Sequence, residues 1–514
     1  MKMSQRDDAS LETGEAFPNE AVDSPDAKSR PKQSLDRGET ERLASMGHSP
    51  ALLPQIVGGG VSGLVQVGLG MVAGYSGVTI PQLTSDNTTI SGVVFDDDQV
   101  ALFSSVVYLT ATVGCLVGIP MTVSFGQRKT MLICLPILLS GWVSLYFSTT
   151  IPSIQASRSL IGLTIGVIES ASYQYTTETS HSSVRGMMVG ALDTLRQIGV
   201  LLVYGLGATG LTWQHISLIC GVTVPPAIIA LVFLPDSPRW LVTRGRTQEA
   251  SKSLAFFRGP RYDVTAELAS ISSQVEYASV NSDFSFGSQL RAMMQKGTVK
   301  VILYLTMLFL AAQFTGNIVV TAYIVPILEA TAISMNAFVA AMVVGGIRVV
   351  GTIFSLLVVD LIGRKPSLLV SFLTCGISLL SLGAFFFIKG HYDDVRGIDW
   401  MPMTCLVFFT FFSCVGHPTL NLVRGELLPT TVRSAAMPFL CSVMFGGFFL
   451  ASQTFPLMTS SLGTSGTFWI YGGMCGLVTA ATVAVLPETR KENLEDITLE
   501  KKGGKTFPAV RDAA

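Results

Sequence analysis

From about residue 54 to residue 486 the chain is a succession of apolar segments, each roughly 20 residues long. That length as a helix spans the ~30 Å hydrocarbon core of a bilayer. Inside hydrocarbon no water can satisfy a backbone N–H or C=O, so each such segment must bond to itself as a helix. The segments fall at about 54–80, 99–122, 130–148, 155–178, 186–210, 214–234, 300–325, 336–360, 367–389, 403–425, 434–456 and 464–486. Charged residues are 13% of the chain, about half the ~25% of a soluble domain. Mean hydropathy is +0.51. The sequence predicts an all-α polytopic membrane protein with twelve transmembrane helices.

The spans divide six and six. Residues 1–49 are charged and rich in helix-interrupting residues, and read as a disordered tail. Residues 50–234 form the first bundle, 235–298 a polar linker with short helices, 299–487 the second bundle and 488–514 a second tail. The opening MKMSQRDDAS has no apolar run, so no cleaved signal peptide is expected. Net charge is −1, which gives no reason to expect a nucleic-acid partner. The eight cysteines all lie in apolar segments and form no CxxC pair, so packing is expected and a metal or cofactor is not.

Charge sets the orientation. One set of connections carries Arg128 and Lys129, Arg185, the basic residues of 239–300, Arg364 and Lys365, Arg433, and Arg490 with Lys491. The alternate set is nearly free of Lys and Arg outside the 389–400 loop. The basic set is expected to be cytoplasmic, which puts both termini inside. Asn87-Thr88-Thr89 is a glycosylation sequon in the first outside loop. Plasma membrane is the default residence, since the chain ends in no retention or peroxisomal signal.

The halves echo each other. SFGQRK answers DLIGRKP, ETSHSSVRG answers GELLPTTVRS, and PDSPRW answers PETR, each pair about 240–250 residues apart. Two related six-helix bundles are the usual hardware of alternating access, in which the halves rock around a site near the bilayer midplane. At the ends of spans stand Glu178 and Arg185, Asp360 and Arg364, and Glu426 and Arg433. Such carboxylate–arginine pairs can latch helix ends in one gate state and part in the other. Simple anchoring of charge at the membrane surface is the plainer alternative.

With these motifs, and with RSLIGLTIG, RQIG, QFTGN and LPETRKENLEDI, the chain resembles the sugar porters of the major facilitator superfamily over about residues 54–500. RGPRYDVTAEL narrows the likeness to the insect facilitated trehalose transporters. The resemblance implies two pseudo-symmetric bundles and passive or proton-coupled movement of a saccharide. It carries sugar-binding roles onto Gln197, Gln313, Asn317 and Tyr323. Ala312 replaces one of the family's glutamines, and Asn317 is displaced by one position. In VGHPTLN, Asn421 takes the place of the family's tryptophan. Where proton-coupled members carry an aspartate, AGYSGVTIPQL has Ser76, which points to uncoupled transport.

Arg348 is the exception within its apolar span. An arginine at helix centre costs about 2.5–3.5 kcal/mol on insertion scales, so the helix can insert, but the charge will not face lipid. Ala341, Gly345, Arg348, Thr352 and Ser355 form one small or polar face; Val343, Ile347, Val350, Phe354 and Leu357 form a bulky one. The polar face is expected to meet the bundle interior. Glu169, near mid-depth in the fourth span, is the expected counter-ion. The pair is read either as a fixed ion pair or as one that opens with transport and bonds the substrate. Separate partners are the remaining option, with Arg196 bonding Asp193 three residues back. His417 is read as a packing residue.

Three functions remain open on the sequence. A facilitative sugar transporter, for trehalose or a related saccharide, would use the amides of Gln197, Gln313, Asn317 and Asn421. A transporter of a non-sugar, anionic solute would use Arg348 and Arg196. A non-transporting nutrient receptor is the third. No nucleophile–base pair or phosphate loop points to an enzyme. A monomer is sufficient for transport, and its partners are the solute and the bilayer.

Overall fold

The computed structural model describes residues 50–84, 93–281, 293–331, 335–392, 397–428 and 433–486, and these are helical with no strand among them. Both expected tails and Asn87 lie outside the described residues. The first half contains α1 (Leu52–Thr84), α2 (Asp97–Phe125), α3 (Gln127–Tyr146), α4 (Ile151–Thr179) and α5 (Arg185–Ala208). Its sixth span is two pieces, α6 (Trp213–Val222) and α7 (Val224–Phe233), which meet at Thr223 ahead of Pro225 and Pro226. Linker helices α8 (Pro238–Thr243), α9 (Thr247–Arg258) and α10 (Thr265–Asn281) follow.

In the second half the seventh span is broken into α11 (Lys296–Gln313), α12 (Asn317–Ala322) and α13 (Ile324–Thr331). The break is set by Gly316, whose φ of +88° is open to glycine and costly for a side chain. Then come α14 (Ala337–Ile362), α15 (Arg364–His391), α16 (Met401–Leu427) and α17 (Arg433–Val485). The last of these is two spans joined through Gly463, which turns the chain at φ +74°. Counting the broken and joined helices this way gives the twelve expected crossings.

The helix ends are written in the sequence. Asp96 accepts from the Gln99 N–H and Gln99 reaches back, a capping box that starts α2. Thr150 and Ser153 do the same for α4. Between helices, small residues replace the hydrophobic driving force that lipid removes. A Cβ on Gly70 of α1 would lie 1.9 Å from the Arg196 carbonyl oxygen of α5, and one on Gly166 of α4 would lie 2.1 Å from that of Ala111 on α2. All eight cysteines are buried and free. The faces of α14 fall as expected: Ala341, Gly345, Arg348, Thr352 and Ser355 are buried, while Val343, Val350, Phe354 and Leu357 are exposed.

The linker packs on the first half. Arg258 donates to the Thr179 carbonyl at 2.7 Å and bridges Glu267 at 2.6 Å. Trp240 donates its indole N–H to the Val123 carbonyl at 3.1 Å, and Arg128 bridges Asp236 at 3.3 Å. The end of the bundle carrying these helices is called the linker face below, and the opposite end the far face.

Backbone contact this close makes a test. Gly166→Val has to push α2 and α4 apart and is expected to cost at least the ~1–3 kcal/mol of overpacking. Gly186→Ala meets nothing within 4 Å and should be silent. Fluorescence-detected size-exclusion of the two variants reads the difference; an equal monodisperse peak for both would refute the close packing.

Candidate functional site

The halves meet around a cavity of about 80 Å³. The first half supplies Asp193, Arg196 and Gln197, all on one stretch of α5. The second supplies Phe309 and Gln313 of α11, Asn317 of α12 and Arg348 of α14. Ser413, His417 and Asn421 of α16 and Met444 and Phe448 of α17 complete the wall. Pockets that enclose small molecules run to roughly 300 Å³ or more. The site is therefore contracted in this state, and a solute larger than a few waters requires it to open.

Arg348 enters the cavity from the polar face of α14. Its Nε donates to Gln197 Oε1 at 2.8 Å and its Nη1 to Asn317 Oδ1 at 3.4 Å. Ser413 Oγ donates to the same Asn317 oxygen at 3.3 Å. One amide comes from each half, so this guanidinium ties the halves together at mid-depth. Asn317 can reach because Gly316 breaks the seventh span there and makes Asn317 the first residue of α12.

The expected Glu169–Arg348 ion pair does not form. Glu169 Oε1 instead meets Arg196 Nη1 at 2.9 Å. Arg196 also binds Asp193 at 2.8 Å, three residues back on α5. Tyr173 donates to Asp193 at 2.7 Å and accepts from Arg196. The reason is local. Arg196 and Asp193 lie one turn apart on α5, and α4 with Glu169 belongs to the same half, so the two acids share the nearest guanidinium. Glu169 sits behind the cavity wall, and Asp193 is the acid that reaches it.

Gln313 donates to the Phe309 carbonyl at 2.7 Å, while its Oε1 is buried without a partner. His417 lies in the wall, 3.4 Å from the Thr315 hydroxyl and edge-on to Phe372. Tyr323 is placed away from the cavity, toward the far face. Its hydroxyl meets Ser104 Oγ at 2.5 Å and donates to the Ser452 carbonyl at 3.2 Å. Tyr204 donates to the Thr321 carbonyl at 2.8 Å, and Ser105 to Gln453 Oε1 at 2.5 Å. The Ser104–Tyr323, Tyr204–Thr321 and Ser105–Gln453 bonds cross between the halves and hold them together toward the far face.

The end-of-span charges take individual roles. Asp360 and Arg364 bridge at 3.0 Å around the α14–α15 corner, within one half. Glu178 and Arg185 are not bridged to each other. Glu178 Oε2 accepts from Gln127 at 3.1 Å and from the Ser237 hydroxyl, and Arg185 donates to the Ser180 carbonyl at 3.5 Å. Glu178 thus fastens the linker to α3 and α4. The side chains of Glu426 and Arg433 lie outside the described residues.

Two further arginines within the spans carry no role in the sequence analysis. Arg158 is fully buried between the rings of Tyr75 and Phe103, and donates to the Ser76 hydroxyl at 2.7 Å. Arg424 lies over the Phe309 ring, with Nε and Nη1 buried and without a hydrogen-bond partner. Both are charges in apolar spans, the signal that had already singled out Arg348.

The chain matches the family described as "Sugar (and other) transporter" over residues 63–500. Over 84% of its length it is 30% identical to a facilitated trehalose transporter of Culex quinquefasciatus, and spans 84% of that protein. It is 28% identical to one from Bombyx mori, over 86% of each chain. It spans 58% of a longer Anopheles gambiae relative of the same name, at 29% identity. Among solved structures it superposes on the Escherichia coli xylose transporter in a partially occluded inward-open conformation, with a TM-score of 0.71. That match has 20% identity, covers 85% of this chain and 99% of the other, and speaks to the fold alone.

The ion-pair assignment is testable by double-mutant cycles of thermal stability. Glu169→Gln with Arg196→Gln should show coupling of at least ~1 kcal/mol, as expected of a buried pair. Glu169→Gln with Arg348→Gln should be additive within ~0.5 kcal/mol; strong coupling there would restore the rejected pair. A second test uses His181, outside the spans. Burial, then the Arg258 guanidinium, hold its ring below the usual range. As pH falls through about 6.5 the unfolded chain takes up this proton before the folded one. The folded state therefore loses stability on the acid side. His181→Gln should flatten that loss slightly in melting curves between about pH 7 and pH 5; a steeper loss would contradict it.

Proposed function

The chain belongs to the sugar (and other) transporter family, and we propose that it is a facilitative saccharide transporter of the plasma membrane that works by alternating access. The carrying observation is the wall of the central cavity, where amides and a hydroxyl from both halves converge: Gln197, Gln313, Asn317, Ser413 and Asn421. A polyol offers donors and acceptors in all directions, and such side chains answer both. The unpartnered Oε1 of Gln313 calls for a donor, which a sugar hydroxyl supplies at little cost because the acceptor is already desolvated.

Alternating access fits a contracted cavity between two bundles held together toward the far face by hydrogen bonds. Uncoupled transport is favoured by Arg158, which meets the Ser76 hydroxyl where a proton carrier would need a titratable group. The linker face carries Arg128, Lys129, Arg185, Arg364 and Lys365, so it is assigned to the cytoplasm together with both termini. The curated relatives are named for trehalose, and that sugar with glucose is the first pair to test.

The experiment is radiolabelled uptake into oocytes at outside pH of about 5.5 and 7.5. Saturable uptake of a saccharide at equal rates at both values is expected, since Ser76 does not titrate in this range. Gln313→Ala should lower transport roughly three- to tenfold, the worth of one neutral hydrogen bond. Absence of any saccharide uptake by protein shown to be at the cell surface would sink the reading.

A further inference from the structure

Among the described residues, the cavity and its immediate shell hold more positive than negative charge. Among the described residues Arg196, Arg348 and Arg424 stand against Glu169 and Asp193, one guanidinium more than there are acids. Both acids are already engaged by Arg196. Arg348 is 5% exposed and forms no ion pair among the described residues. Its hydrogen bonds go to two neutral amide oxygens. Arg424 lies one turn beyond Leu420 and Asn421 of the wall, against the cavity residue Phe309, with two of its guanidinium nitrogens buried and unbonded.

A buried guanidinium cannot shed its charge as a carboxylate or amine can, because arginine is not deprotonated in proteins. Desolvating a charge is expensive unless an opposite charge meets it. Amide oxygens satisfy its hydrogen bonds and leave the charge itself unanswered. The same cavity holds the unpartnered Gln313 Oε1, an acceptor that needs a hydroxyl. One class of solute meets both requirements: a polyhydroxylated ring or chain that also bears a carboxylate.

We propose that the preferred substrate is an acidic saccharide, a sugar acid whose carboxylate pairs with Arg348 while its hydroxyls bond Gln313 and Asn421. This rests on the saccharide reading above and narrows it. The Arg348 fork faces a carboxylate well, since a guanidinium binds carboxylates with paired parallel bonds. Arg424 then lies next along the route to the linker face, where the same anion would meet a second cation. Net uptake through such a uniporter would move negative charge.

The test needs no variant in its first arm. The purified full-length protein, in chloride-free methanesulfonate buffer, is titrated by thermal shift with glucuronate, glucuronamide, glucose, trehalose and lactate. Glucuronamide keeps the shape of glucuronate and removes its charge. Glucuronate is expected to bind at least ~30-fold more tightly than glucuronamide, as losing one member of a buried charged pair costs about 2 kcal/mol or more. Arg348→Gln should abolish that preference, and Arg348→Lys should restore part of it. Glucuronate uptake into proteoliposomes should rise when the interior is made positive. Equal binding of glucuronate and glucuronamide overturns the proposal. So does binding of glucose or trehalose with none of glucuronate, although the saccharide reading then stands. Restoration of neutral-sugar binding by chloride, with no preference for glucuronate, also overturns it and makes the missing anion inorganic. Binding of lactate with no saccharide of either kind overturns this inference and the saccharide reading together.

Discussion

Hydrocarbon offers no partner to a backbone amide or to a charge, and that constraint shapes this molecule at every level. It forces the segments into helices. It also removes the hydrophobic effect as a force between helices, so they must approach closely to gain dispersion and buried polar bonds. Gly70 against Arg196 and Gly166 against Ala111 are the sequence's answer. The polar groups that remain at depth are gathered inward, where they can satisfy one another. The transport site is thus the place where the membrane's prohibition is met by protein rather than by water.

The handling of charge shows two regimes. Around Arg196 the molecule pairs its charge, with Glu169, Asp193 and the Tyr173 hydroxyl gathered on one guanidinium within a single half. Around Arg348 it achieves hydrogen bonding alone, with oxygens from both halves. The first arrangement is rigid and can be carried unchanged through a rocking motion. The second must be remade whenever the halves separate. A bond between halves that uses neutral acceptors is cheaper to break than an ion pair of the same geometry, because what parts is one charged and one neutral group.

Much of the fold was legible in the sequence because it follows from period and length alone. The twelve spans, the long linker and the two faces of α14 came from that signal. The cavity residues Gln197, Gln313, Asn317, Arg348 and Asn421 came from their polarity within apolar spans and from the resemblance, and all five reach the wall. The partner of Glu169 was misread because charge pairing at mid-depth depends on which helix faces which. A pattern of residues fixes a face, and it does not fix the neighbour opposite that face. Tyr323 was drawn toward the site by the resemblance alone, and its hydroxyl bonds to Ser104 and Ser452 instead. Arg158 and Arg424 carried the same warning as Arg348 and were passed over, Arg158 inside RSLIGLTIG and Arg424 just ahead of GELLPTTVRS.

The broken seventh span has a mechanical consequence. Helices α12 and α13 have six and eight residues, so at least half of their amides lie in a first turn, outside the helix's own ladder. Tyr204 and Ser104 of the first half fasten on this stretch, at Thr321 and Tyr323. The full-length spans move as stiff rods, whereas this segment can yield by changing a few dihedrals. The far face therefore has its own compliance, separate from the rocking of the bundles. Solute could be sealed in from that side before the two rigid bodies have turned, so that closure and reorientation are two events in time rather than one.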